Sequence, residues 1–297
     1  MLRNKKVALI GCGDIGQRLA KLLMEDSAKP VGFRRQTEHI KMDMPVVAVD
    51  VTDQASVAIL SQQRFDYAVI SLTPNISAKN KDQDAVANAY QHTYQQGLKN
   101  ILAHLNMDSL KKVFWVSSTS VFAQDDHSWI NEHSETQPSR TSGQCLLAAE
   151  GLMKPLADKG CIIRFAGIYR DGSHRLLKQL QQGLLAAGAD RDYFTNRIHV
   201  QDCARMIHFL MKEVERGAAV KPIYIGVDDS PVLFSELNAY LSEQTGLPLN
   251  TRAQAKKPAV GSKRCSNALI RAAGFDFLYA NYKEGFAPLI QQLKSVD

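Results

Sequence analysis

The chain has 297 residues, of which 45% are hydrophobic and 22% are charged. These fractions are typical of a globular protein and exclude a disordered or fibrous one. The chain has 5 cysteines, an odd number with no Cys-x-x-Cys pair, which argues against a disulfide framework and against a zinc knuckle. The net charge of +6 favours anionic partners, but nucleic acid, phosphates and acidic membrane surfaces all remain open.

The first residues predict a cytoplasmic protein. Residues 1–6 lead directly into a short apolar run at residues 7–10, with no signal-peptide apolar region and no small-residue cleavage site. No later stretch reaches the roughly eighteen consecutive apolar residues that a membrane helix needs. We therefore expect no membrane partner.

Short apolar runs alternate with longer helical patterns through the first half of the chain. Runs that are hydrophobic on both faces, as buried parallel strands are, occur at residues 7–10, 31–33, 46–49, 67–72, 113–116 and 161–165. Helices are predicted at residues 15–24, 55–63, 84–105 and 145–157. This alternation predicts an α/β fold with a doubly wound parallel sheet that is covered by helices on both faces.

The pattern is looser beyond residue 165. Helices are predicted at residues 176–185, 203–214 and 234–245, and one further strand at residues 223–225. Residues 252–264 are basic and contain proline and glycine, which predicts a loop. We expect this part of the chain to supply the structure that faces a substrate.

A glycine-rich turn follows the first predicted strand and opens a helix. It reads Gly11-Cys12-Gly13-Asp14-Ile15-Gly16. In this pattern the first glycine permits a tight turn, the second lets the backbone approach a pyrophosphate, and the third lets the helix pack on the strand. The helix N-terminus offers N–H groups and a positive dipole end to the anion. We expect every residue of the turn except Cys12 to bind a dinucleotide; a turn that serves only packing is the alternative.

The end of the second strand predicts which dinucleotide is bound. An enzyme that uses NAD usually carries an acidic residue there, for the ribose 2′-hydroxyl. This chain has Arg34 and Arg35 instead, and guanidinium groups suit a 2′-phosphate. The sequence therefore predicts NADP(H) rather than NAD, with a solvated strand end as the alternative.

Two further strand ends supply predicted cofactor contacts. Asp50 and Val51 follow the third strand, where Asp50 is expected to accept a hydrogen bond from the adenine amino group, whereas Asp53 is expected to cap the next helix. The stretch Leu72-Thr73-Pro74 lies at the carboxyl edge of the sheet, where ligands of open α/β sheets bind. Residues 1–165, joined by 199–226, are thus predicted to form a dinucleotide-binding Rossmann domain, and residues 166–198 and 227–297 a smaller substrate-binding portion.

These residues, with several later motifs, resemble the short-chain dehydrogenase/reductase superfamily. The similarity is to its extended and atypical branches, which include NAD(P)-dependent sugar-nucleotide epimerases and dehydratases. Ser117-Ser118-Thr119-Ser120-Val121-Phe122 is similar to a family segment whose second member is the catalytic Ser or Thr, which implies a catalytic role for Ser118.

Later motifs follow in the order that the family has them. Residues 131–138 resemble the acidic, proline-bearing loop before the active-site helix, and residues 196–204 resemble the family's Ile-His-Val segment. Arg164-Phe165-Ala166-Gly167-Ile168-Tyr169 is similar to a loop on the nicotinamide side. This similarity implies that Phe165 and Ile168 contact the cofactor.

The chain departs from the family at the active-site helix. The family carries Tyr-x-x-x-Lys, in which the tyrosine transfers a proton and the lysine lowers its pKa and holds the ribose. Ser142 and Leu146 stand at these two positions. The resemblance then implies that Ser118, assisted by Ser142, polarises a carbonyl group, without the usual acid.

Other groups near the predicted site are candidate substitutes for the missing pair. Tyr94, Tyr169 and His199 are candidates to face the pocket, although packing is the favoured role of Tyr94 and a structural role that of His199. Arg140 is a candidate for the lost positive charge, whereas Cys145 has no base beside it. The Tyr-x-x-x-Lys match at residues 279–283 lies outside the required helix and is treated as coincidence.

Two other clusters predict less specific roles. Asp125-Asp126-His127 lacks a distant partner motif, so it is interpreted as a solvated turn, and no metal site is predicted. The basic residues of the predicted loop lack interleaved aromatic residues, which favours contact with an anionic substrate over nucleic acid. These residues are Arg252, Lys256, Lys257, Lys263 and Arg264.

The sequence thus predicts an NADP(H)-binding atypical member of the superfamily. It would act as an epimerase/dehydratase or reductase on a small molecule, either a nucleotide sugar or a small carbonyl or alcohol, with no nucleic-acid partner. The alternative is a non-catalytic NADP(H) sensor, for which the NmrA-like regulators of the same superfamily are the precedent. The resemblance also implies a homodimer that is formed by the helices at residues 84–105 and 145–157.

Overall fold

A computed structural model describes residues 1–38, 42–76, 82–171, 175–255 and 261–294. The chain divides into two compact units. The first unit consists of Met1–Val121, Arg140–Arg164 and Cys203–Tyr224. The second unit consists of Phe122–Ser139, Phe165–Asp202 and Ile225–Asp297.

Strands and helices alternate along most of the chain. The strands are β1 (Lys6–Ile10), β2 (Lys29–Arg34), β3 (Val46–Ala48), β4 (Tyr67–Ile70), β5 (Lys112–Ser118), β6 (Trp129–Ile130), β7 (Gly160–Phe165), β8 (Gly167–Tyr169), β9 (Ala186–Ala189), β10 (Phe194–Thr195), β11 (Arg197–His199), β12 (Ile223–Gly226), β13 (Val232–Leu233), β14 (Asn250–Ala255) and β15 (Arg264–Cys265). The α-helices are α1 (Asp14–Glu25), α2 (Gln54–Val57), α3 (Gln83–Gln91), α4 (Gly97–His104), α5 (Thr141–Met153), α6 (Arg175–Gln181), α7 (Val200–Glu215), α8 (Phe234–Thr245), α9 (Ala268–Ala272) and α10 (Tyr282–Lys294). Short 3-10 helices cover Ala58–Gln62, Thr119–Val121 and Lys154–Lys159, and a π-helix covers His92–Gln96.

A seven-stranded sheet has the order β12-β7-β5-β4-β1-β2-β3. The pairs β2–β3, β1–β2, β1–β4 and β4–β5 are parallel. The predicted α/β fold with a doubly wound parallel sheet is therefore confirmed. After β1 the chain builds outward through β2 and β3 on one side and then returns to β4 on the other. Ligands of such sheets bind at the carboxyl ends of the strands, where the strand order reverses, which here lies between β1 and β4.

The central strands are buried because helices cover the sheet. Every residue of β4 and β7 is buried, as are the last four residues of β1. These strands are the apolar runs from which the sequence predicted a parallel sheet. Helix α1 contributes Leu19 and Leu23, which are fully buried, from the face that its helical repeat directs towards the sheet.

The structure corrects three predictions of local structure. Residues 250–255 form β14, which pairs in parallel with β9, and Arg264 begins β15, so the predicted loop at 252–264 is wrong at both ends; residues 256–260 lie outside the described residues. The helix predicted to reach residue 185 ends at Gln181 because Gly183 adopts a left-handed φ of +65°. The helix predicted at 84–105 is divided by the π-helix.

Among the described residues, no helix is long and apolar enough to cross a membrane.

A buried charge network joins α5 to two strands of the first unit. Arg164 of β7 donates from Nε to Oε1 of Glu150 over 3.0 Å and from Nη2 to Oε2 over 2.7 Å. Ser117 of β5 donates from its hydroxyl to the same Oε1 over 2.7 Å. Glu150 is 3% exposed and Arg164 is 4% exposed, so loss of either partner leaves a charge uncompensated in the interior.

We expect Glu150→Gln to lower the free energy of unfolding by about 3–5 kcal/mol, because Arg164 then loses its buried countercharge. Arg216→Met, which removes a half-exposed ion pair with Glu213, serves as the control and should cost about 1 kcal/mol or less. Urea unfolding followed by circular dichroism measures both values. Equal losses in the two variants would contradict a stabilising role for the network.

Candidate dinucleotide-binding and active site

The turn after β1 packs directly against the chain that follows β4. Gly11 has a left-handed φ of +78°, and a Cβ atom there would lie 2.1 Å from the carbonyl oxygen of Ser71. No side chain fits this space. Gly13 precedes the first residue of α1 and donates its N–H to the Gly11 carbonyl over 2.6 Å. The tight turn that the sequence predicted for Gly11 is therefore present. The close approach of Ser71 is a second, steric reason why this position requires glycine.

The first turn of α1 contains three of the residues that are predicted to bind a dinucleotide. Asp14, Ile15 and Gly16 occupy this turn, where backbone N–H groups have no helical acceptor. The Asp14 carboxylate accepts from Nε of Arg18 over 2.8 Å, an ion pair that compensates its negative charge. These residues fit a pyrophosphate through backbone donors and the helix dipole.

Cys12 fills the space between α1 and β2. Its Sγ atom would lie 3.3 Å from a Cβ atom on Gly16 and 3.2 Å from one on Gly32, so both glycines allow close packing of helix on strand. Burial raises the pKa of the Cys12 thiol to about 11, against the opposing charge of Arg34. The thiol is therefore a protonated packing group at neutral pH, not a nucleophile.

Two arginines lie at the end of β2, beside the glycine turn. Arg34 is half-buried and donates from Nη1 to the Cys12 carbonyl over 3.3 Å. Arg35 is exposed and acts electrostatically on Asp50, the residue predicted to bind adenine. Burial raises the pKa of Asp50, but hydrogen bonds from Thr52 and the charge of Arg35 lower it by more. The pKa therefore lies below its usual value, and the carboxylate is ionised. The structure thus brings the predicted ribose and adenine residues into one neighbourhood.

Helix α4 supports the loop that carries Asp50 and Val51. Asn100 is 5% exposed and donates from Nδ2 to the Val51 carbonyl over 3.0 Å. A Cβ atom on Gly97 would lie 2.9 Å from Cγ2 of Val51, so the helix needs glycine for this approach. Asp53 accepts from the Ala55 N–H over 3.0 Å and caps α2, as predicted. Sequence reasoning missed Asn100, because a single polar residue in a helix gives no signal of a distant backbone partner.

The predicted residues after β4 lie at the same edge of the sheet. Leu72 is nearly buried, and its Cδ2 atom would lie 3.2 Å from a Cβ atom on Gly11. Thr73 is exposed and Pro74 is buried. The glycine turn and the stretch from Leu72 to Pro74 therefore form one continuous edge, and the exposed Thr73 is available to a ligand.

The predicted catalytic serines lie on neighbouring elements of the first unit. Ser118 is the last residue of β5, and its Oγ accepts from the Ser120 N–H over 3.1 Å. Ser142 lies in the first turn of α5, and α5 packs against β5 and against the 3-10 turn that follows Ser118. Leu146, which the sequence predicts to replace the family lysine, is 6% exposed and occupies an apolar core position. Arg140 precedes α5 and is exposed.

Tyr94 lies in the π-helix, is half-buried and packs against other aromatic rings of the first unit. Its ring is edge-on to Trp115 of β5, with centroids 6.1 Å apart, and lies 5.8 Å from the Tyr90 ring. Burial, with smaller contributions from Tyr90 and Cys145, raises the pKa of Tyr94 to about 12. These contacts support the packing role that was favoured for Tyr94. A π-helical turn is frequent at functional sites, and no sequence pattern indicated this one.

The predicted nicotinamide-side residues belong to the second unit. Phe165 is 1% exposed, whereas Ile168 of β8 is 44% exposed. His199 is 1% exposed, with ring centroids 5.2 Å from Tyr169 and 4.1 Å from Tyr279. Its position between aromatic rings supports the structural role that was favoured for it.

The two weaker clusters are also placed in the second unit. Asp126 accepts from the Ser128 N–H over 3.1 Å, as in a polar turn, and the described residues include no group of three or more potential metal ligands. Lys263 is buried and donates from Nζ to the Phe122 carbonyl over 3.0 Å. A backbone carbonyl therefore accepts from its ammonium group, whereas a lysine in a surface loop would face solvent. Burial lowers the pKa of Lys263.

Comparison with known proteins identifies the family. The model of the NAD dependent epimerase/dehydratase family matches residues 9–226. This chain belongs to that family. The match covers the whole of the glycine turn, β5 and α5, so the resemblance to an extended short-chain dehydrogenase/reductase is confirmed.

Several characterised proteins and structures are similar to the chain. An N-acetyl-alpha-D-glucosaminyl-diphospho-ditrans,octacis-undecaprenol 4-epimerase from Escherichia coli O157:H7 is 25% identical over 252 residues, which cover 81% of this chain and 72% of that protein. A structure from Methylobacillus flagellatus that is named for the NAD-dependent epimerase/dehydratase family is 29% identical, with a TM-score of 0.82 and coverage of 98% of this chain and 99% of the other.

A more distant structure shows the same fold. The UDP-glucose 4-epimerase of Thermus thermophilus, in complex with NAD, has a TM-score of 0.79 at 14% identity and covers 98% of this chain and 100% of its own.

We expect Gly11→Ala to weaken dinucleotide binding at least tenfold, because the new methyl group meets the Ser71 carbonyl and displaces the turn. Gly217→Ala is the matched control: Gly217 has the same φ of +78° but nothing within 4 Å of a Cβ atom. Both variants carry the backbone strain of a left-handed alanine, about 1–2 kcal/mol, and only the first also carries the collision. Titration of NADPH, followed by fluorescence, separates the two effects; equal affinities in both variants would contradict the steric argument.

Proposed function

We propose that this protein binds NADP(H) and acts as an epimerase/dehydratase or reductase on a nucleotide sugar or a small carbonyl or alcohol. The observation that carries the proposal is the approach of Gly11 to Ser71, which leaves a space that no side chain can enter beside the N-terminus of α1. Membership of the NAD dependent epimerase/dehydratase family supports it. The 4-epimerase relative favours a sugar attached to a diphosphate as the substrate class.

The cofactor would be held along the carboxyl edge of the first unit. The pyrophosphate would lie on the N–H groups of Asp14, Ile15 and Gly16. Asp50 would accept from the adenine amino group, and Val51 would line the adenine site with its backbone fixed by Asn100. The apolar Leu72 and Pro74, with Thr73, would cover the same side. Phe165 and Ile168 would contact the nicotinamide end.

The NADP(H) preference rests on charge at the end of β2. Arg35 is exposed, and its guanidinium is accessible for a bidentate contact with a 2′-phosphate. Arg34 already donates to the Cys12 carbonyl, so it ties the phosphate site to the glycine turn. An ionised Asp50 nearby keeps the local charge balanced when no phosphate is bound.

The substrate carbonyl or alcohol would be oriented by serines rather than by tyrosine. Bound NADP(H) supplies the hydride donor or acceptor. Ser118 would donate a hydrogen bond to the reacting oxygen, and Ser142 would give a second hydrogen bond from the start of α5. Neither serine has the acidity of a tyrosine beside a lysine, because Leu146 contributes no charge. The proton would therefore be exchanged with solvent or with the substrate, and the rate would be lower than with the usual pair.

The two domains that the sequence predicts would have separate roles. Residues 1–165, with 199–226, would hold the dinucleotide, and residues 166–198 and 227–297 would bind the substrate. Helices α3 to α5 carry half-exposed residues and would form a homodimer interface. The described cysteines are all free and buried, as expected of a protein that works in the reducing cytoplasm.

A second function, a non-catalytic NADP(H) sensor, is favoured by one observation. Leu146 is packed into the core of the first unit. The position that corresponds to the family lysine in the predicted alignment would therefore be part of the hydrophobic interior. Such a protein would retain the glycine turn and the arginines and would report the state of the dinucleotide to a partner.

We expect Arg35→Met to raise the dissociation constant for NADPH about tenfold and to leave that for NADH unchanged, because only the 2′-phosphate contact is lost, worth roughly 1.4 kcal/mol. Isothermal titration of both cofactors measures the ratio. Lys29→Met, an exposed cation at the opposite end of β2, serves as the control and should change neither affinity. NADH that binds to the unaltered protein as tightly as NADPH would overturn the preference.

A single-turnover experiment distinguishes a catalytic protein from a non-catalytic sensor. We expect protein loaded with NADPH or NADP to change absorbance at 340 nm when mixed with members of a panel of nucleotide sugars and aldehydes. Ser118→Ala should slow that change about 10- to 1,000-fold while cofactor affinity is retained, because only a hydrogen bond to the reacting oxygen is lost. Tight cofactor binding with no turnover on any panel member would favour the sensor.

A further inference from the structure

A large aromatic side chain lies open to solvent on a small sheet of the second unit. Strand β6 pairs in parallel with β15, with Trp129 opposite Arg264 and Ile130 opposite Cys265. Successive side chains of a strand point to opposite faces of the sheet. Ile130 is 2% exposed and Cys265 is 1% exposed, so this pair faces the interior. Trp129 is 57% exposed and lies with Arg264 on the outer face.

Two aromatic rings and one hydrogen bond hold the Arg264 side chain in place. Its Cζ atom lies 5.1 Å from the centroid of the Trp129 ring and 5.3 Å from that of Phe194. Its Nε donates to the His127 carbonyl over 2.9 Å. These contacts restrain the guanidinium and leave its two terminal nitrogens for another group.

The backbone around these rings is also fixed. The N–H of Phe194 donates to Oγ of Ser262 over 2.8 Å, and the N–H of His127 donates to the Ser262 carbonyl over 2.9 Å. The His127 ring lies edge-on to Phe194, with centroids 5.3 Å apart. The N–H of Arg264 donates to the Ser128 carbonyl over 2.8 Å. The indole and the guanidinium are therefore positioned before any ligand arrives.

The terminal nitrogens of Arg264 have no acceptor among the described residues, and they are not buried. No described carboxylate forms an ion pair with this guanidinium, whereas Arg164 is paired with Glu150 in the first unit. Asp125, which precedes β6, forms its ion pair with Arg191 instead, over 4.0 Å. Arg264 therefore presents an uncompensated positive charge at the surface, where a dissolved ligand can reach it.

An open indole beside a charged fork selects a ligand with two parts. The indole stacks on a planar ring, and stacking on an aromatic side chain accepts any nucleobase because every base has a π-face. The two terminal nitrogens of a guanidinium match two oxygens of a phosphate. A neutral sugar ring would leave the charge of Arg264 unmatched, and inorganic phosphate would leave the indole uncovered. A nucleoside phosphate satisfies both groups at once.

We propose that Trp129 and Arg264 form a surface site for a nucleoside phosphate. The base stacks on the open face of the Trp129 indole, and the phosphate accepts hydrogen bonds from the terminal nitrogens of Arg264. The site uses neither the glycine turn nor the two serines. It therefore goes beyond the proposed function and stands whether or not the protein turns over a substrate.

The chain has two tryptophans, which makes the site directly observable. Trp115 is 0% exposed, so a ligand that stacks on a surface indole should quench mainly the emission of Trp129. The probe is UMP, because AMP also resembles one half of the dinucleotide. We expect UMP to quench the fluorescence of the full-length protein saturably at low salt, with a dissociation constant of about 1 mM.

Separate variants test the two halves of the site. Arg264→Met should weaken UMP binding at least tenfold, because the charged fork is lost, and uridine should bind the unaltered protein as weakly as UMP binds this variant. Arg191→Met removes an exposed arginine of the same unit and should leave UMP affinity unchanged. Trp129→Ala should abolish the saturation transfer from protein to uracil protons in NMR spectra, whereas Leu184→Ala, at a side chain that is 60% exposed, should not.

Two results would overturn the proposal. One is the absence of saturable quenching and of saturation transfer when UMP is added to the unaltered protein at up to about 20 mM. The other is equal UMP affinity in Arg264→Met and Arg191→Met. If Arg264→Met fails to fold, the unaltered protein decides, because equal affinities for UMP and uridine would refute the phosphate contact.

Discussion

The bidentate contact between Arg164 and Glu150 holds the first unit together beside the two serines that are predicted to be catalytic. Glu150 lies on α5, two turns after Ser142, and Arg164 lies on β7, so the contact fixes the helix over the sheet. Ser117 adds a third hydrogen bond from β5, one residue before Ser118. Because a carboxylate with both oxygens engaged by one guanidinium has a single favourable orientation, the ends of β5 and α5 keep a constant relation.

That rigidity bears on the two helix positions at which the sequence predicts that the family tyrosine and lysine are replaced. In the helix, the core position Leu146 lies one turn before Glu150, so an apolar side chain and a buried ion pair together anchor α5. A lysine at the same position would need a partner or an exit to solvent. At this position the chain therefore has an apolar side chain whose packing stabilises the helix.

Sequence patterns predicted those structural features that depend on residues close together in the chain. The GxGxxG turn, the buried strands and the cap at Asp53 follow from backbone sterics and from hydrophobic patterns within a few residues. The strand β14 was missed because its residues, Asn250–Ala255, are mostly polar and carry no strand pattern. The π-helix and the Asn100–Val51 bond depend on neighbours distant in sequence, which no single-sequence pattern records.

The role of each arginine in this protein depends on the groups that surround it. Arg164 is neutralised by Glu150, and the charge of Arg35 acts on the ionised Asp50. Arg197 differs from both, because burial lowers its pKa against the opposing charge of Asp228. A net charge of +6 alone therefore could not distinguish a binding arginine from a structural one.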